Sequence, residues 1–92
     1  MTSTRFIITV IGSDKVGIVA KVTGIMAEYN VNIVDISQTI MEDLFTMIML
    51  AEANEEHFEL TGFQKAMQTT GKNLGVDIRV QHEDAFKLMH RV

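Results

Sequence analysis

The sequence predicts an α+β fold: a ferredoxin-like βαββαβ sandwich, with a four-stranded antiparallel sheet, two helices on one face and a short C-terminal helix. Three observations predict it. Hydrophobic periodicity changes from strand-like to helix-like and back along the chain, two segments are apolar on both faces, and turn-forming residues stand where the period changes. In this topology the two central strands come first and third in sequence, and right-handed crossovers place both helices on the same face.

Phe6 to Ile11 is β-rich and nearly all apolar, as a central strand buried on both faces requires, and Gly12, Ser13 and Asp14 end it. From Gly17 the period lengthens. Ile18, Val22, Ile25, Met26 and Tyr29 share one face of a helix, Lys21 and Glu28 lie on the other side, and Asn30 stops it. Over Asn32 to Ile40, Val34, Ile36 and Ile40 alternate with Asp35, Ser37 and Thr39, which predicts an edge strand with one face covered. Met41-Glu42-Asp43 forms a turn into Leu44 to Leu50, a second central strand. Asn54 is the expected N-cap of the second helix, with Glu55 and Glu56 in its first turn and Leu60, Phe63, Met67 and Thr70 on its apolar face. Gly75 closes that helix. Val76, Ile78 and Val80 then alternate with Asp77, Arg79 and Gln81 as a last, edge-like strand.

At 92 residues, with 47% hydrophobic and 22% charged residues, the chain is expected to form one domain spanning 1–92, with a core over about 5–82 and a tail helix over 83–91. A chain of this size buries only about 60 to 65% of its unfolded surface. The central strands carry Ile7 and Ile11 opposite Phe6, Ile8 and Val10, and Leu44, Ile48 and Leu50 opposite Phe45, Met47 and Met49, so an apolar set remains on the face without helices. Covering ~500 Å² of it would contribute ~12 kcal/mol before association costs. A homodimer or higher oligomer formed through the sheet is expected, with the tail helix as a competing cover.

Composition excludes several functions. A net charge of −4 with scattered Lys and Arg does not suit direct nucleic-acid binding, and no segment approaches a membrane span. A cytoplasmic protein is the expectation. There is no cysteine, and His57, His82 and His90 lack metal-ligand spacing, so no metal and no cofactor are expected. No nucleophile stands with a base nearby in sequence, and no catalytic residue is assigned.

The informative segments are Gly12 to Ile18 and Asn32-Ile33. Gly12 and Gly17 have the outer spacing of a phosphate-binding loop, but Ile18 and Val19 stand where that motif needs Lys and Ser or Thr, so the nucleotide reading fails. An acylphosphatase on the same sandwich needs an arginine in this loop, which has Lys15 instead. What remains is a glycine loop before a helix whose first amides face an anion such as a carboxylate. Asp14 suits an ammonium group and Asn32 either end of a zwitterion, giving ligand-binding candidates Gly12, Asp14, Lys15, Val16, Gly17, Ile18, Asn32 and Ile33. The alternative is structural, with Asp14 capping the helix and Asn32 turning into the strand.

The segments Gly12-Ser13-Asp14-Lys15-Val16-Gly17-Ile18-Val19, Asn32 to Thr39 and Phe45-Thr46-Met47-Ile48-Met49 resemble the ACT domain. The whole chain is similar to small stand-alone ACT-domain proteins and to the ACT modules of the glycine cleavage system transcriptional repressor. The resemblance implies a βαββαβ fold, dimerisation through the sheet, and amino-acid binding where the loop before the first helix meets the start of the second strand, often from a neighbouring subunit. Asp14, Gly17 and Asn32 are the carried-over positions. Many ACT domains have proline immediately before the loop glycine, where this chain has Val16. The expected function is a non-enzymatic regulatory module for a small amino acid; the alternative is an interaction module that docks on an enzyme or transcription factor.

Overall fold

The computed structural model describes residues 3–13, 17–54 and 58–84. The elements follow the expected order: β1 (Ser3–Ser13), α1 (Ile18–Glu28), β2 (Val31–Met41), β3 (Leu44–Asn54), α2 (Leu60–Leu74) and β4 (Asp77–His82). The sheet runs β2-β3-β1-β4, every neighbouring pair antiparallel, so the two most apolar strands occupy the centre. Burial chooses between their faces. Phe6, Ile8 and Val10 of β1 and Phe45, Met47 and Met49 of β3 meet the helices, which contribute Ile18, Val22 and Met26 from α1 and Phe63 and Met67 from α2.

Aromatic packing ties α2 to the sheet. The Phe6 ring of β1 lies 5.4 Å between centroids from Phe63 of α2, and Phe63 meets Tyr29, at the end of α1, edge-on at the same separation. Gly71, buried on α2, leaves room for the backbone leading into β4: a Cβ there would lie 2.9 Å from the Val76 carbonyl oxygen. Gly75 ends α2 as expected, in the left-handed conformation.

Two local expectations are corrected. Asn54 does not cap α2; it is the last residue of β3, paired with Ser3, and the N-cap is Glu59. The alternation of buried Ala51 and Ala53 with Leu50 and Glu52 prolongs the strand past the point where Asn54 offered a cap, so sheet packing prevails over capping preference. No acidic residue stands in the first turn of α2, and Glu55, Glu56 and His57 lie outside the described residues.

The second correction concerns β2. Val31 is buried, but every residue from Asn32 to Met41 is exposed. Ile33, Ile36 and Ile40 do lie on the helix side, at register with Ala51, Met49 and Phe45. The helices do not reach across them. A bulge at Val34 breaks the register between Ile33 and Asp35, and the Asp35 carboxylate Oδ1 accepts a hydrogen bond from the Ile36 backbone N–H at 2.9 Å.

On the opposite face Ile11, Leu44 and Ile48 are 37%, 47% and 40% exposed, whereas Ile7 is 9% exposed. Of the tail helix expected over 83–91, only Glu83 and Asp84 are described; the rest lies outside the described residues. Among the described residues no helix is long and apolar enough to cross a membrane.

Candidate functional site

Gly17 stands at the N-cap of α1 with φ 93° and ψ −3°, a left-handed conformation that residues with a side chain avoid. Among the described residues a Cβ built there meets nothing within 4 Å, so the backbone conformation is what calls for glycine. The Gly17 carbonyl accepts from the Lys21 N–H at 2.9 Å and starts the helix. No side chain caps this end and no acidic residue occupies its first turn, so the positive end of the helix dipole is not offset locally among the described residues.

In front of this terminus lies a hollow of about 320 Å³, walled by Gly17, Ile18, Val19, Ala20, Gln38, Ile40 and Phe45. The strand register explains its composition. Gly12 of β1 and Ile40 of β2 both stand opposite Phe45 of β3, so the end of β1, the start of α1 and the end of β2 share one end of the sheet. Gly12 itself is accounted for by packing: a Cβ on it would lie 2.5 Å from Val76 Cγ1. Asp14, Lys15 and Val16 lie outside the described residues.

Asn32 and Ile33 are elsewhere. Asn32 pairs with Glu52, which pairs with Arg5, a row at the far end of the sheet where the Arg5 Nε to Glu52 Oε2 distance is 3.1 Å. Phe45 and Glu52 are separated by seven positions of β3, about 23 Å at ~3.3 Å per residue. The cause is α1: its 11 residues carry the chain some ~16 Å back along the sheet before β2 begins. A single chain thus brings Gly17 and Ile18 together with Gln38, Ile40 and Phe45, and does not bring them to Asn32 and Ile33.

The wall residues Val19, Gln38, Ile40 and Phe45 were not among the sequence candidates. The signal for them was present in the element order, because β1 and β2 run parallel on either side of β3, and a helical crossover between parallel strands leaves the loop before the helix at the end of the second strand, not at its beginning. Two further hollows, of about 300 and 480 Å³, lie between α1 and α2 and are flanked by Lys21, Glu28 and Lys65.

Comparison with known proteins accords with this fold. A family profile described as the ACT domain matches residues 4–81. The chain is 71% identical over 92 residues to a UPF0237 protein of Methanosarcina mazei, covering all of both chains. Among solved structures, an ACT domain protein from Streptococcus pneumoniae superposes with a TM-score of 0.79 at 35% identity, covering 99% of each chain. A candidate glycine cleavage system transcriptional repressor shares the fold, with a TM-score of 0.78 at 20% identity, over 89% of this chain and 47% of that one.

Proposed function

The chain belongs to the ACT-domain family and, within it, to the UPF0237 proteins, and from that premise we propose that it is a non-enzymatic regulatory module binding a small amino acid or similar zwitterion between two copies of itself. The observation that carries this reading is the separation of its candidate residues into two half-sites at opposite ends of β2. The first half-site is the uncapped start of α1, whose amides suit a carboxylate. The second is Asn32, whose side chain both donates and accepts.

Antiparallel pairing of two β2 edges about a two-fold axis near Ile36 would run the start of one strand beside the end of the other. Asn32 and Ile33 of one copy would then stand next to the Gln38 to Ile40 end of its partner, and each pair of chains would hold two equivalent sites. The exposure of β2 on both faces supports an interface there. Asp14, Lys15 and Val16 precede α1 in sequence and remain candidate contacts, the Asp14 carboxylate being chemically suited to an ammonium group.

The test is calorimetric titration of the intact protein against the twenty amino acids, with Asn32→Ala as control. Saturable heat with at least one amino acid, weakened by the substitution, supports the reading. No heat and no change in melting temperature with any of them would overturn it. The exposed strip Ile33, Ile36 and Ile40 also favours a second reading, an interaction module that docks on an enzyme or transcription factor without a metabolite. A stoichiometric heterologous partner copurifying from the native host, with no response to amino acids, would favour it.

A further inference from the structure

We infer that the hollow between α1 and the last turns of α2 binds a short dipolar molecule with an ammonium at one end and a carboxylate at the other, of which a dipeptide is the simplest. This site is separate from the one proposed above. Its volume is about 300 Å³, and its walls include Lys21, Gly24 and Glu28 of α1 and Thr70 and Asn73 of α2.

Three of these residues weaken the helix that carries them. Lys21 closes the first turn of α1 and Glu28 is its last residue, so each charge stands at the end of the helix dipole that has the same sign. Gly24, between them, is a poorer helix former than any residue but proline. Among the described residues a Cβ on Gly24 would meet nothing within 4 Å, and its backbone is helical, so neither crowding nor conformation within the chain calls for glycine. Local rules broken together, with no compensation inside the fold, mark a place shaped for something outside it.

The same residues suit a ligand. Lys21 and Glu28 project from one side of α1, two turns and ~10 Å apart along its axis. An α-amino acid carries both charges on one carbon and spans that distance poorly, whereas a dipeptide can place its carboxylate by Lys21 and its ammonium by Glu28. The missing side chain at Gly24 lets the middle of the ligand approach the helix, Thr70 and Asn73 offer hydrogen bonds, and half-buried Ile25 offers apolar contact. The volume lies at the small end of the ~300–1,000 Å³ typical of small-molecule sites.

The intact protein is titrated with alanylalanine, with its N-acetyl derivative, which lacks the ammonium, and with its C-terminal amide, which lacks the carboxylate. Alanylalanine is expected to bind saturably and about tenfold more tightly than either derivative. Glu28→Gln is expected to lower affinity about tenfold for alanylalanine and to leave that of the N-acetyl derivative unchanged; Lys21→Gln does the same with respect to the amide. Gly24→Leu is expected to raise the melting temperature while abolishing binding, and Asn32→Ala to leave binding unchanged. No saturable heat with alanylalanine, equal affinity for the neutralised derivatives, or a loss with Asn32→Ala but not with Glu28→Gln would overturn the assignment.

Discussion

Gly12 and Val76 approach so closely that a methyl group on the glycine would lie 2.5 Å from Val76 Cγ1 and 2.9 Å from its Cβ. The contact joins the end of β1 to the entry of β4. Gly12→Ala is therefore expected to destabilise the protein by about 1–3 kcal/mol through overpacking, and Val76→Ala in the same chain to recover most of that loss. Urea unfolding of the two single variants and the double variant measures the coupling; simple additivity would refute a steric cause.

Gly17 depends on its backbone, not on a neighbour. Its φ of 93° and the open space around it predict that Gly17→Ala costs about 1–2 kcal/mol, that Gly17→Asn costs less, and that Val76→Ala rescues neither. Thermal and urea denaturation of the same set of variants distinguishes the two glycines.

Glu42, in the turn between β2 and β3, also has a positive φ, of 57°. A glutamate gains nothing there, whereas asparagine visits this region readily. Glu42→Asn is expected to raise stability by about 0.5 kcal/mol, seen as a higher urea midpoint with an unchanged slope.

The Arg5–Glu52 pair at 3.1 Å has side chains 42% and 37% exposed, so water and salt screen it. Glu52→Gln is expected to cost less than about 1 kcal/mol at low ionic strength and close to nothing in 1 M salt. A larger loss that persists in high salt would mean that Glu52 acts through packing.

The proposed β2 interface makes an oligomeric prediction. Ile36→Lys is expected to yield monomers in light scattering at low micromolar concentration, and Ile48→Lys, on the bare face of the central strands, to leave the assembly intact. The reverse result would move the interface to that face.

Periodicity made the architecture legible, because Phe6, Ile8 and Val10 against Ile7 and Ile11, or Ile18, Val22 and Met26 on one helical stripe, follow from local geometry alone. Lateral coverage does not. Whether Ile36 and Ile40 are buried depends on how far the helices reach across the sheet, a tertiary property that alternation along β2 cannot carry. Asn54 misled for a related reason, since its capping preference competed with a strand whose length is set by pairing to β1. At the site, Gly17 and Ile18 were legible as a loop before a helix. Their neighbours Gln38 and Ile40 required knowing which end of β2 the crossover meets, and Gly12 required the position of Val76, 64 residues along the chain.

The two edges of the sheet are unequal: β2 offers 11 residues and β4 only six, with Asp77 and Arg79 joined by an ion pair along it. If two β2 edges join about a two-fold axis, what they leave outward on each side is the short, charged edge of β4. Growth would then stop at two. The same geometry that would invite one neighbour would give such an assembly a finite size and keep an exposed strand from seeding a fibre.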